Sequence, residues 1–120
     1  MKSGPAKLEI NQRELDGGIV VVSLSGRVML GDESTRIESV TADLLRGGVR
    51  KLIFDMSGVT HIDSTGIGRF IASFNKVMQA GGRMLMAGAT GVVREGFHVT
   101  RLDTVFKFFP DVDSAASALR

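Results

Sequence analysis

The apolar positions of this chain follow two rhythms, and the points where one gives way to the other lay out its elements. Leu8 and Ile10 alternate with polar neighbours before the phase weakens through Gln12 and Glu14, which predicts an exposed first strand over 8–15. Asp16-Gly17-Gly18 signals a turn. The run from Ile19 to Ser25 is β-branched and nearly continuous, so a buried second strand pairs back on the first as a hairpin. A connection from Gly26 to Asp32 follows. Asp32, Glu33 and Ser34 then supply the capping and acidic residues of a helix start, and Ile37, Val40, Leu44 and Leu45 keep helical spacing until Gly47-Gly48. Lys51 to Met56 reads as a third, buried strand. Ile67, Phe70, Ile71, Phe74, Val77 and Met78 mark one face of a helix over 64–80. The pattern continues with a strand over 84–87, a helix over 90–98 with Val92, Val93 and Phe97 inward, and a short strand from Val105 to Phe109. Pro110 breaks that strand, and Asp111 or Asp113 caps a last helix over 113–119.

Strands alternating with helices predict an α/β fold with right-handed crossovers and parallel pairing, and the opening hairpin makes the sheet mixed. The expected architecture is one domain: a mixed sheet of four to five strands with an N-terminal β-hairpin and about four helices packed mainly on one face. Residues 1–6 read as a flexible N-terminal arm and 7–120 as the domain.

Composition narrows the function classes. A length of 120 residues with 43% hydrophobic and 23% charged positions suits a single globular core. No run approaches the ~18 apolar residues of a membrane span. The opening Met1-Lys2-Ser3-Gly4-Pro5 lacks the apolar segment of a signal peptide. Cysteine is absent, which removes thiolate chemistry and fits a reducing compartment. A cytoplasmic location without membrane contact is therefore expected. The net charge is +2, but the fifteen Lys and Arg residues are scattered, and Tyr and Trp are missing. Nucleic-acid binding, which needs a clustered basic stripe, is not expected.

The chemistry concentrates in Val59-Thr60-His61-Ile62-Asp63-Ser64-Thr65-Gly66-Ile67-Gly68, between the third strand and the helix over 64–80. Asp63, Ser64 and Thr65 sit where free backbone N–H groups and the positive end of a helix dipole lie. Hydroxyls there can cap the helix for about 1 kcal/mol. They can also carry a phosphate that a helix N-terminus tolerates. Gly66 and Gly68 each cost roughly 1 kcal/mol against Ala in a helix, which suits a place where another molecule approaches Ser64 closely. A hydrolase elbow would need glycine where Ile62 stands, and His61 and His98 are the only histidines, so catalysis is not expected. No metal-ligand cluster and no nucleotide-binding glycine motif is present, so no cofactor or metal is expected.

The stretch Asp63-Ser64-Thr65-Gly66-Ile67-Gly68 resembles the signature of the STAS family, the bacterial anti-sigma-factor antagonists, and the order of elements extends the resemblance over nearly the whole chain. The resemblance implies that Ser64 is the phospho-acceptor of an anti-sigma serine kinase, which is bound when Ser64 is unmodified. It further implies that a PP2C-type serine phosphatase resets the switch. Asp63, Thr65, Gly66, Ile67, Gly68 and Arg69 then belong to the partner surface, with Ile67 equally readable as core. Many family members carry Gly-x-Leu-Asp after the second strand. Here that place reads Gly26-Arg27-Val28-Met29, so Met29 replaces the Asp and Arg27 adds a cation, while Asp32 is a candidate substitute. Arg27, Met29 and Asp32 therefore join the candidate partner residues. A STAS scaffold of another assembly, stressosome-like or lipid-transporting, is the alternative, and a small serine hydrolase a more distant one. Oligomeric state stays open.

Overall fold

Two left-handed glycines start the fold. Gly17 and Gly18 have φ of +88° and +76°, a conformation that reverses the chain with the twist of a hairpin. In this computed structural model, which describes residues 8–120, the reversal pairs β1 (Leu8–Leu15) antiparallel with β2 (Ile19–Val28), from Leu15 opposite Ile19 to Leu8 opposite Gly26. The arm expected over 1–6 lies outside the described residues. The chain then winds through α1 (Asp32–Arg46), β3 (Lys51–Ile62), α2 (Ser64–Gln79), β4 (Arg83–Ala87), α3 (Gly91–Val99), a 3-10 turn (Leu102–Thr104), β5 (Phe108–Phe109) and α4 (Val112–Leu119). The sheet order is β1-β2-β3-β4-β5, with every pairing after the hairpin parallel.

Because each crossover steps the same way across the sheet, right-handed connections place α1, α2 and α3 on one face. Val20, Val22, Leu24, Leu52, Phe54, Met56, Met84 and Met86 meet Ile37, Phe70, Val77, Val93 and Phe97 there. On the other face Ile19, Val21, Ile53, Leu85 and Ala87 are covered by Ala115, Ala116 and Leu119 of α4. The alternation of Ile19 to Val22 between the two clusters is the period-two strand pattern buried on both sides.

Several boundaries differ from the sequence reading. β2 continues to Val28 and β3 to Ile62, six residues past Met56, because the two strands stay paired through irregularities between Ser23 and Ser25 and between Gly26 and Arg27. Those bulges re-aim both strand ends toward the start of α2. β5 shrinks to two residues because the amides of Val105 and Phe106 both turn back to the Leu102 carbonyl. On α2, Ile71 and Met78 are 37% and 53% exposed, and on α3 Val92 is 69% exposed rather than inward. An apolar stripe read at helical spacing is wider than the face a flat sheet can cover.

Candidate functional site

The carboxyl ends of β2 and β3 deliver the site. Asp63, one residue past β3, is the N-cap of α2 with extended backbone (φ −125°, ψ −178°). Its Oδ1 accepts from the Gly66 amide at 2.8 Å, which satisfies one of the free donors of the first turn. Its Oδ2 accepts from the Leu30 amide at 2.9 Å, in the loop between β2 and α1. One carboxylate thus fastens the β2–α1 loop to the start of α2. Partial desolvation pushes the Asp63 carboxyl up, but the amides of Gly66, Leu30 and Thr65 outweigh it and hold the group below its ordinary 3.8.

This arrangement divides the two roles that the sequence left open for Asp63-Ser64-Thr65. Asp63 does the capping. Ser64, the first residue of α2, is exposed, and its hydroxyl makes no hydrogen bond among the described residues. Thr65 is half-buried behind it.

Gly66 is explained inside the chain. A Cβ there would overlap the Val28 carbonyl oxygen and stand 2.8 Å from its carbon and 2.9 Å from Cγ1. The residue is buried, and its lack of a side chain lets α2 seat on the end of β2, a role inside the chain that the sequence reading, which linked this glycine to close approach of a partner, did not include. Gly68 is the reverse case: nothing lies within 4 Å of an added Cβ. Ile67 is 6% exposed and belongs to the core. Arg69 turns toward α1, its Nε on Ser34 Oγ at 3.1 Å and its Nη1 on Glu38 Oε2 at 3.2 Å.

A cleft of about 380 Å³ opens beside the cap, lined by Arg27, Met29, Leu30, Glu33 and Asp63. Arg27 and Met29, proposed from the sequence, thus come together with Asp63, while Asp32 is exposed outside the lining and Glu33 stands there in its stead. Leu30 was missed. It is 79% exposed, the most exposed large hydrophobic side chain described, and its amide is the one Asp63 holds. The apolar pair Met29-Leu30 directly before Gly31, past the end of β2, was the available signal. His61 lies opposite Arg27 across the strand pair, and its Nδ1 is 2.8 Å from Thr60 Oγ1. His98 Nδ1 is 2.8 Å from Asp103 Oδ2, beyond α3.

Known proteins share this fold. An anti-sigma factor antagonist from Mycobacterium paratuberculosis superposes with a TM-score of 0.81 at 26% identity, over 98% of this chain and 97% of that one. The Bacillus cell fate determinant SpoIIAA, in its phosphorylated form, gives 0.72 at 17% identity, over 93% of this chain and all (100%) of that one. A sulfate transporter family protein from Wolinella succinogenes gives 0.77 at 17% identity, with 88% of each chain covered. The last two likenesses carry the fold alone. Residues 11–115, from β1 through the first turn of α4, match the STAS domain, and the chain belongs to that family.

Proposed function

We propose that this STAS domain is an anti-sigma-factor antagonist of the partner-switching kind. It binds an anti-sigma serine kinase through the surface around Ser64 and is released when Ser64 is phosphorylated. The observation that carries the reading is the free Ser64 hydroxyl: exposed, on a helix start already capped by Asp63, beside a cleft with an apolar side chain at its rim. The likeness to the mycobacterial antagonist supports it, and so does the existence of a phosphorylated form of a protein with this fold.

In the transfer, Ser64 Oγ attacks the γ-phosphorus of ATP held by the kinase. A new O–P bond forms, the bond to the departing ADP breaks, and the hydroxyl proton leaves to a base of the kinase or to water. The chain itself needs no cofactor. The phosphate adds about −1.5 to −2 charges at neutral pH next to Asp63. Helix-start amides soften that charge within the chain. A partner surface shaped for a neutral hydroxyl receives an unpaired buried charge, which costs about 3–5 kcal/mol. That takes a micromolar complex to roughly millimolar. A PP2C-type phosphatase restores the binding form.

The test uses purified anti-sigma kinases of the same organism and three forms of the chain: wild type, Ser64→Ala and Ser64→Asp. The reading expects one kinase to bind Ser64→Ala at wild-type affinity or better and Ser64→Asp at least tenfold more weakly. Equal affinity for both variants contradicts it. The sulfate transporter family neighbour favours a second reading, a STAS module of a transport assembly. On that reading Ser64 substitutions leave partner binding unchanged.

A further inference from the structure

Among the described residues one cation lines the cleft beside Ser64, and it is held in no ion pair. Arg27 is exposed near the end of β2 and forms no ion pair among the described residues. Arg69, the next cation along α2, is already held by Glu38 and Ser34. Two features bring Arg27 to the serine. The strand end that carries it is fixed against the start of α2, because the Asp63 amide bonds the Val28 carbonyl at 3.3 Å and Gly66 is seated on that same carbonyl. Asp63 and Arg27 also line one cavity, and Ser64 follows Asp63 directly.

We propose that Arg27 is the internal receptor for phosphoserine 64 and that this capture is part of the switch. The inference rests on Ser64 being the phosphorylation site. In the unmodified protein the guanidinium stands in the cleft, available to a carboxylate of the partner. Once Ser64 carries a phosphate, Arg27 meets a dianion on its own chain. A planar guanidinium binds such a group through two parallel N–H donors. The modification then acts twice: it adds charge to the docking surface, and it withdraws the cation that the partner used. Met29, which lines the same cleft, carries no charge and so does not compete with the phosphate for Arg27. Among the described residues, Asp63 and Glu33 of the cleft lining oppose the phosphate, and His61 stands across from Arg27. Among the described lining residues Arg27 is therefore the permanent cation placed to offset it.

The test installs phosphoserine at position 64 during translation, so it does not depend on any kinase. Full-length wild type, Arg27→Gln and Arg27→Lys are each titrated by phosphorus NMR. The second ionisation of the phosphate is expected roughly one pH unit lower in wild type than in Arg27→Gln. Arg27→Lys should recover part of the shift as a point charge without the fork. The phosphate should also raise the melting temperature of the wild type relative to Arg27→Gln. Identical titrations in all three proteins overturn the inference and leave the kinase reading standing. An unmodified Ser64 in cells would remove the switch while the titrations stayed as they are.

Discussion

Gly66 and Gly68 stand two residues apart in one turn of α2 and face different surroundings. Gly66→Ala drives a methyl group into the Val28 carbonyl at the heart of the site, a clash with backbone that cannot move aside cheaply. Overpacking of this kind costs typically 1–3 kcal/mol and at times more, and we expect the upper end, read as a lowered urea midpoint. Gly68→Ala meets open space and gains helix propensity, so it should stabilise the domain by up to about 1 kcal/mol. Asp63→Ala removes the α2 cap and the Leu30 fastening together. The cap alone is worth about 1 kcal/mol, and losing the second bond adds to it. Asp63 also sets a pH dependence. Its folded pKa lies below 3.8, so its contribution is complete above the unfolded value and is lost as pH falls through the folded one. The stability difference between wild type and Asp63→Ala should therefore shrink in acid below about pH 4. A difference that is constant from pH 7 to pH 3 contradicts the assigned bonds.

At the scale of elements, α1 and α2 are tied by more than apolar contact. Thr41 Oγ1 lies 3.0 Å from Ser73 Oγ and 2.9 Å from the Ile37 carbonyl oxygen, and both residues are buried. Ser73→Ala leaves Thr41 its carbonyl partner and should cost only about 1 kcal/mol. Ser73→Val places a branched apolar group where a hydroxyl fitted and should cost more, as measured by chemical denaturation. The same scale shows what was readable in the sequence. The helices and the three inner strands carry strong periodicity, and their existence and order follow from it. The extension of β3 through Ser57, Gly58, Thr60 and His61 was not readable. Polar residues paired along a bulged strand leave no apolar alternation. The two-residue β5 was overread because Val105 and Phe106 look like strand but are bound in a turn.

For the molecule as a whole, an even winding of crossovers leaves no cleft in the middle of the sheet. Functional groups gather instead at the carboxyl end of β2 and β3, where the loop before α1 meets the start of α2. The sequence motif located Asp63 and Ser64 but could not separate cap from free hydroxyl. That distinction depends on which oxygen reaches the Gly66 amide, a fact of tertiary geometry. Leu30 and Glu33 escaped notice for a related reason: their place in the cleft comes from the Asp63 bond to Leu30, which joins residues 33 apart in sequence. Because the loop is pinned in advance, Leu30 presents its exposed side chain at little entropic cost. Leu30→Ala should weaken the proposed kinase complex at least tenfold in a titration calorimeter while leaving the melting temperature within a degree or two.

The central claim, that Ser64 is a phosphorylation switch, is tested most directly by mapping the phosphosites of the protein isolated from its native host, before and after serine phosphatase treatment. The account predicts one phosphoryl group, on Ser64, that the phosphatase removes. A chain whose Ser64 stays unmodified under every growth condition and stress, or whose phosphate sits elsewhere, contradicts it.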